Sequence, residues 1–263
     1  MDFEYSALTD VGLVRSNNED AVRVDAQHGI AVLADGMGGY NAGEVASAMA
    51  VERVGAQLAQ WLQDTLGGTV TPGDLRRAME ICVDNANRAI FDAAHANRAY
   101  AGMGTTLVVA VPLGTTLLLL GHVGDSRAYR WRAGALVQLT RDHSVLQEQI
   151  AAGLMTPEDA AESTYGNLVT RALGVEDTVQ LEVQEVPVDA GDIFLLCSDG
   201  LTDMVADEEI AAALGSPEPL QALSQRLVDM AKEGGGRDNV SVALIRVPGA
   251  SKKLGVMGKL LGK

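Results

Sequence analysis

Apolar residues in this chain recur with two different periods, and segments of each kind come in blocks, which restricts the available folds more than any other feature. Residues 21–25 and 30–34 carry the short apolar runs of strands. A helix is predicted over about 44–66, where Val51, Val54, Leu58 and Trp61 fall on one buried stripe. Thr71-Pro72-Gly73-Asp74 then has the form of a helix start, with a threonine cap, proline at the first helical position and an acid at the third. The helix it opens places Leu75, Met79, Val83, Ala86 and Ile90 on one face. From Gly104 the strand pattern returns. Residues 106–111 and 116–123 form a hairpin over Pro112-Leu113-Gly114, and residues 128–131 and 135–139 form another around Ala133-Gly134. The polar stretch 144–170 interrupts this half and reads as a surface flap, with its own capped start at Thr156-Pro157-Glu158-Asp159. Strands follow at 183–186 and 193–197, then a helical stretch at 207–214 and a helix from Ser216-Pro217 to about Lys232. A last strand spans 240–247. Blocks rather than strict alternation favour an α+β layered fold in one domain, residues 1–248.

The formal charge of −15 excludes a nucleic-acid binder, which needs a basic footprint. It leaves either a surface for basic partners or carboxylates gathered at a cation site. Cys82 and Cys197 form no zinc-type pattern and are expected as buried, reduced thiols. The acidic N-terminal stretch lacks the form of a signal peptide, and no run approaches the roughly 20 apolar residues that span a bilayer. The expectation is a soluble, cytoplasmic protein.

The aspartates sit at the margins of the strands. Asp35-Gly36 follows the run 30–34, Asp199-Gly200 follows 193–198, and Asp125 follows 117–124. Glu19-Asp20 and Asp238-Asn239 each stand immediately before a strand. Singly, an Asp-Gly after a strand is a turn signal. Together, carboxylates at one edge of a core would repel and resist desolvation, and hard divalent cations with oxygen ligands remove that cost. Glycine beside them lets a carbonyl approach a metal closely. On spacing alone the turn reading and the metal reading both stand.

Seven runs appear in order: Asp10-Val11-Gly12-Leu13-Val14-Arg15-Ser16-Asn17-Asn18-Glu19-Asp20, Ala34-Asp35-Gly36-Met37-Gly38-Gly39, Gly102-Met103-Gly104-Thr105-Thr106, Gly121-His122-Val123-Gly124-Asp125-Ser126-Arg127, Thr170-Arg171-Ala172-Leu173-Gly174, Cys197-Ser198-Asp199-Gly200-Leu201 and Asp238-Asn239-Val240-Ser241. In these the chain resembles the bacterial branch of the metal-dependent (type 2C, PPM) Ser/Thr protein phosphatases, over about residues 5–247. The resemblance implies two packed, mainly antiparallel β-sheets flanked by helices, a four-layer αββα sandwich with a flap insertion. It implies two core Mn²⁺ or Mg²⁺ ions and a weaker third. Asp35 would bridge the core pair, the Gly36 carbonyl would help hold one ion, and Asp199 and Asp238 would complete the other. Asp125, with Asp199, would hold the third. Glu19 and Asp20 would support waters or ligate directly, with Asn239 beside them, and Arg15 would grip the phosphate. The implied reaction is attack on phosphorus by a metal-activated water, with no side-chain nucleophile; Cys197 is a strand residue in this reading. Implied partners are phosphorylated proteins and a Ser/Thr kinase whose work the enzyme reverses, acting as a monomer.

Three features depart from the family pattern. Met37 stands where some members carry a histidine, so the general acid is open; His122 and His143 are alternatives to a water but are expected as structural histidines. Ser163-Thr164-Tyr165-Gly166-Asn167 replaces a basic stretch of the flap, which predicts altered substrate choice. The lysine-bearing tail 249–263 lies outside the resemblance and is expected to be disordered rather than an amphipathic contact. The competing readings are a catalytically silent phosphoprotein-binding relative and a two-metal enzyme acting on small phosphate esters.

Overall fold

The computed structural model describes residues 3–38, 42–156, 159 and 168–249. Most of the flap's variant stretch, including residues 163–167, and the tail from 250 onward lie outside them.

Among the described residues eleven strands form two antiparallel sheets. The first has the order β1 (Glu4–Asp10), β11 (Val240–Arg246), β10 (Ile193–Cys197), β7 (Arg127–Arg132) and β8 (Ala135–Gln138). The second runs β2 (Asp20–Asp25), β3 (Ile30–Met37), β5 (Leu107–Leu113), β6 (Leu117–Val123) and β9 (Glu182–Pro187), with the short β4 (Gly104–Thr105) on the end of β3. The period-two pattern explains the layering. Ile30, Val32 and Ala34 point to one side of β3 and pack with Val54, Leu58, Leu75, Met79 and Ile90 of helices α1 (Gly43–Asp64) and α2 (Pro72–Ala96). Ala31 and Leu33 point to the other side and meet Phe194, Leu196, Ala243 and Ile245 of the first sheet. The outer face of that sheet, through Leu195, Cys197, Val242 and Leu244, packs on helices α5 (Asp207–Leu214) and α6 (Leu220–Glu233). The result is the expected helix–sheet–sheet–helix order. Each fully buried Leu, Ile or Val in these layers contributes roughly 1.5–3 kcal/mol.

The predicted stripes are the observed ones. Val51, Val54 and Leu58 are buried with Trp61 packed against them, as are Leu75, Met79, Val83, Ala86 and Ile90. The Thr71 start is a reciprocal capping box with Asp74. The Ala133-Gly134 turn has φ of 50° and 92°, the left-handed pair that a two-residue hairpin with right-twisted strands requires. Two boundaries differ. The helix expected from Ser216-Pro217 begins at Leu220, because Pro219 disfavours helical backbone at Glu218. β1, which the sequence reading did not single out, is a full strand paired along β11 from Glu4↔Arg246 to Asp10↔Val240. Within the expected flap, Ser144 caps helix α3 (Val145–Ala151), and the base is closed by a bridge between Ser144 and Val169. No helix among the described residues is long and apolar enough to cross a membrane.

Register brings the acid-bearing strand ends to one rim. Asp20, the first residue of β2, lies opposite Asp35 near the end of β3. The start of β5 lies beside that end through Leu33↔Val108, and pairs Leu107 with Val123 at the end of β6, two residues before Asp125. In the other sheet Cys197 at the end of β10 lies opposite Val242 near the start of β11, so Asp199 and Asp238 leave the same rim.

Candidate metal centre

The carboxylates at this rim are close enough to govern one another's ionisation. Burial, followed by the charges of Asp20, Asp199, Asp125 and Asp238, pushes the Asp35 carboxyl well above the usual carboxylate range. Asp125, 6% exposed, is pushed up to about 7 by burial and then by Asp199 and Asp142. Asp20, 8% exposed, is pushed up to about 6 mainly by burial. Burial also raises Glu19, against the lowering charge of Arg15. Asp199 is the first residue of a four-residue helix, α4 (Asp199–Thr202), and its charge reaches Asp20, Asp35, Asp125 and Arg15.

Backbone and neutral side chains hold these acids in place. The Asp35 N–H donates to Thr106 Oγ1 at 2.9 Å, and its carbonyl accepts from Thr105 Oγ1 at 2.8 Å and from the Thr106 N–H at 2.9 Å. Thr106 Oγ1 is in turn 2.7 Å from Ser126 Oγ, which ties the end of β3 to the residue after Asp125. Ser198 Oγ donates to Asp20 Oδ2 at 2.8 Å, joining the two sheets at the rim. Asn239 is a hub. Its Oδ1 accepts the Glu19 N–H at 2.8 Å, its Nδ2 donates to the carbonyls of Val11 and Asn17, and its own N–H donates to Asp238 Oδ1 at 2.8 Å. Arg15 Nη2 pairs with Asp238 Oδ2 at 2.7 Å and remains more than half exposed. Gly36 donates its N–H to the Glu19 carbonyl at 3.1 Å; a Cβ there would overlap the Gly43 and Glu19 carbonyl oxygens, so no larger residue fits.

The residues that the resemblance assigns to metal and phosphate are therefore at this rim: Arg15, Glu19, Asp20, Asp35, Gly36, Asp125, Asp199, Asp238 and Asn239. Their donor set fits hard divalent cations. Arg15 apart, it is all oxygen, and Asp20 Oδ1 and Asp125 Oδ2 are buried with no hydrogen-bond partner among the described residues. Buried acceptors of that kind, among mutually repelling acids, are what cations would satisfy. Sequence reading missed the Thr106–Ser126 pair, Ser198 as a partner of Asp20, and the clasp of Arg127 by Asp142, whose Oδ2 lies 2.7 Å from Nη2. Nothing local in the sequence marks these contacts.

His122, His143 and Glu182 form a separate group, with ligand atoms within 4.8 Å of one another. Their hydrogen bonds suit a structural role better than a metal. The Gly124 N–H donates to His143 Nδ1 at 3.1 Å, which leaves the proton of the neutral ring on Nε2, 3.3 Å from Glu182 Oε2. Arg171 Nη1 is also 3.3 Å from that Nε2, a fixed positive charge where a cation would sit. His122 Nε2 contacts the Arg141 carbonyl at 2.9 Å. Cys82 and Cys197 are both buried free thiols, pushed up by burial to about 11 and about 12, and neither is activated as a nucleophile.

Comparison with known proteins places the chain among relatives. The family model described as protein phosphatase 2C matches residues 14–239. The serine/threonine protein phosphatase PstP of Mycobacterium tuberculosis is 42% identical over 244 residues, 92% of this chain and 45% of that protein. This chain thus spans less than half the length of that relative. Protein phosphatase PhpP of Streptococcus pneumoniae is 39% identical over 92% of this chain and 96% of its own length. Among solved structures, a serine/threonine phosphatase of S. agalactiae superposes with a TM-score of 0.85 at 35% identity, covering 93% of this chain and 99% of that one. The PstP catalytic domain in complex with two manganese ions does so with a TM-score of 0.81 at 41% identity, covering 94% and 98%.

Proposed function

This chain belongs to the protein phosphatase 2C family, and on that premise we propose that it removes phosphate from phosphoserine and phosphothreonine in proteins, reversing a Ser/Thr kinase. The observation that supports the reading most is the convergence of Asp35, Asp199, Asp238 and Asp125 at one rim, where Asp20 Oδ1 and Asp125 Oδ2 are buried without a hydrogen-bond partner among the described residues and Arg15 is exposed. Asp35, the Gly36 carbonyl, Asp199 and Asp238 would hold two core Mn²⁺ or Mg²⁺ ions, and Asp125 with Asp199 would hold a third. Glu19, Asp20 and Asn239 surround them. When bound, these ions supply positive charge to the phosphoryl oxygens and make a water acidic enough to attack phosphorus near neutral pH.

The chain's own residues do the rest. Arg15 takes two phosphoryl oxygens in its planar fork, and its pairing with Asp238 holds it at the rim. Thr105, Thr106 and Ser126 fix the backbone on either side of Asp35 and Asp125, so the carboxylates need not reorganise during the reaction. The chain acts as a monomer in the cytoplasm in this reading.

The test is phosphate release from a phosphothreonine peptide with Mn²⁺, with Mg²⁺ and with EDTA, beside Asp35→Asn and Asp199→Asn. Metal-dependent turnover that both variants abolish is the expected result. Folded, metal-loaded protein with no turnover would overturn the reading. Faster turnover of nucleotides than of phosphopeptides would redirect it to small esters.

A further inference from the structure

Asp125 is held from both sides by two consecutive residues. On one side His143 grips Gly124 twice: its ring Nδ1 accepts the Gly124 N–H at 3.1 Å, and its own N–H donates to the Gly124 carbonyl at 2.9 Å. On the other side Asp142 takes Arg127 in a fork, with Oδ2 accepting from Nε at 3.0 Å and from Nη2 at 2.7 Å. Gly124 has φ of 100°, and a Cβ there would crowd Thr106, so this backbone has little freedom of its own. His143 is itself fixed. It stacks on His122 with ring centroids 4.6 Å apart, and its carbonyl accepts the Thr170 N–H at 2.8 Å, at the base of the flap segment. The Asp142 carboxylate is taken up by Arg127, and together residues 142–143 bracket Asp125, a buried carboxylate whose Oδ2 has no hydrogen-bond partner among the described residues.

We propose that Asp142 and His143 are positioning residues that set the aim of Asp125, so that the affinity of the cation held there depends on a brace at the base of the flap rather than on Asp125 alone. The inference rests on the reading above that Asp125 is a cation ligand. It assigns to His143 a role distinct from the general acid or metal ligand its ring chemistry suggests. The direction of force is through backbone: the ring holds the amide of residue 124, the carboxylate holds the guanidinium of residue 127, and residue 125 follows both. Partners that orient a ligand in this way typically change metal affinity about 10- to 100-fold when removed.

The experiment is calorimetric titration of Mn²⁺ into the full chain, comparing wild type with Asp125→Asn, His143→Leu and His143→Asn. The expected result is that Asp125→Asn loses the weakest ion, that His143→Leu weakens the same ion about 10- to 100-fold and leaves the tighter ions alone, and that His143→Asn recovers most of the loss because its Oδ1 can accept the Gly124 N–H. Equal weakening of every ion in His143→Leu would mean a general structural role and would overturn the proposal, as would wild-type binding of the weakest ion. If Asp125→Asn binds as many ions as wild type, the cation reading of Asp125 fails and the brace falls with it. Phosphate release by the wild type, measured alongside, keeps that failure separate from the phosphatase reading. Arg127→Gln tests the other arm and covers the case in which His143→Leu does not fold. Removing its positive charge would by electrostatics alone tighten a nearby cation, so weaker binding supports the brace and tighter binding refutes it.

Discussion

Arg15 Nη2 lies 2.7 Å from Asp238 Oδ2, an ion pair that joins the loop before β2 to the turn before β11. Asp238 is a proposed metal ligand, so the pair would place the guanidinium beside an ion held there before any phosphate arrives. Both side chains are partly exposed, and the pair itself contributes little to stability. Its value is orientation.

Arg15→Ala is therefore expected to leave the unfolding midpoint nearly unchanged and to lower kcat/KM for a phosphothreonine peptide. Two charge-assisted hydrogen bonds to phosphate at about 1.5–3 kcal/mol each predict a loss of at least about 100-fold. Arg15→Lys keeps the charge and loses the fork, so it should recover only part of it. Steady-state kinetics with phosphopeptide, together with urea denaturation, checks both halves.

Asp35→Asn should have opposite effects on turnover and on metal-free stability. It removes the acid at the centre of the cluster, so metal-dependent phosphate release should fall to background. In EDTA the same substitution removes a buried charge that four other acids oppose, so the variant should melt at a higher temperature than wild type. Thermal unfolding with and without Mn²⁺ reads this directly; a lower melting temperature than wild type in EDTA would contradict the repulsion argument.

The raised carboxyls also give a sign for pH. Asp20 and Asp125 take up protons in the folded chain at about 6 and about 7, above the 3.8 of an unperturbed aspartate. Between these limits the folded state binds more protons than the unfolded one, so stability conferred below pH 4 is lost as pH rises through 6 and 7. In EDTA the urea midpoint should fall from pH 5 to pH 8. Saturating Mn²⁺ should flatten or reverse that trend, because the cation binds the ionised carboxylates.

Gly36→Ala tests the space beside the site. The added methyl overlaps the carbonyl oxygens of Gly43 and Glu19, both backbone atoms, so β3, the start of α1 and the Glu19 loop must separate. Overpacking of this kind costs about 1–3 kcal/mol, and the urea midpoint should drop accordingly. Metal affinity measured on the folded fraction should weaken too, since Glu19 and the residue 36 carbonyl move together.

Much of this molecule was legible in its residues because the signals are local. Short apolar runs at 30–34 and 193–197 marked strands, the spacing of Leu75, Met79, Val83 and Ile90 marked a helix face, and Thr71-Pro72-Gly73-Asp74 marked where that helix begins. The acids were legible as candidates because each adjoins a strand and because seven motifs occur in order. Boundaries set by competition were less so: Pro219 moved a helix start that Ser216-Pro217 announced.

The sequence by itself determined which segments are strands and helices and which residue types stand at their ends. A side chain's period and a turn's chemistry act over a few residues, and so they survive in a linear reading. Only the tertiary structure decided that Asp20 faces Asp35, that Asp125 reaches the same rim from another strand, and that Arg15 pairs with Asp238 across the chain. Antiparallel register and sheet-on-sheet packing set those relations. The same packing placed Asp142 and His143 around Asp125, and buried carboxylates close enough together that their charges need a partner.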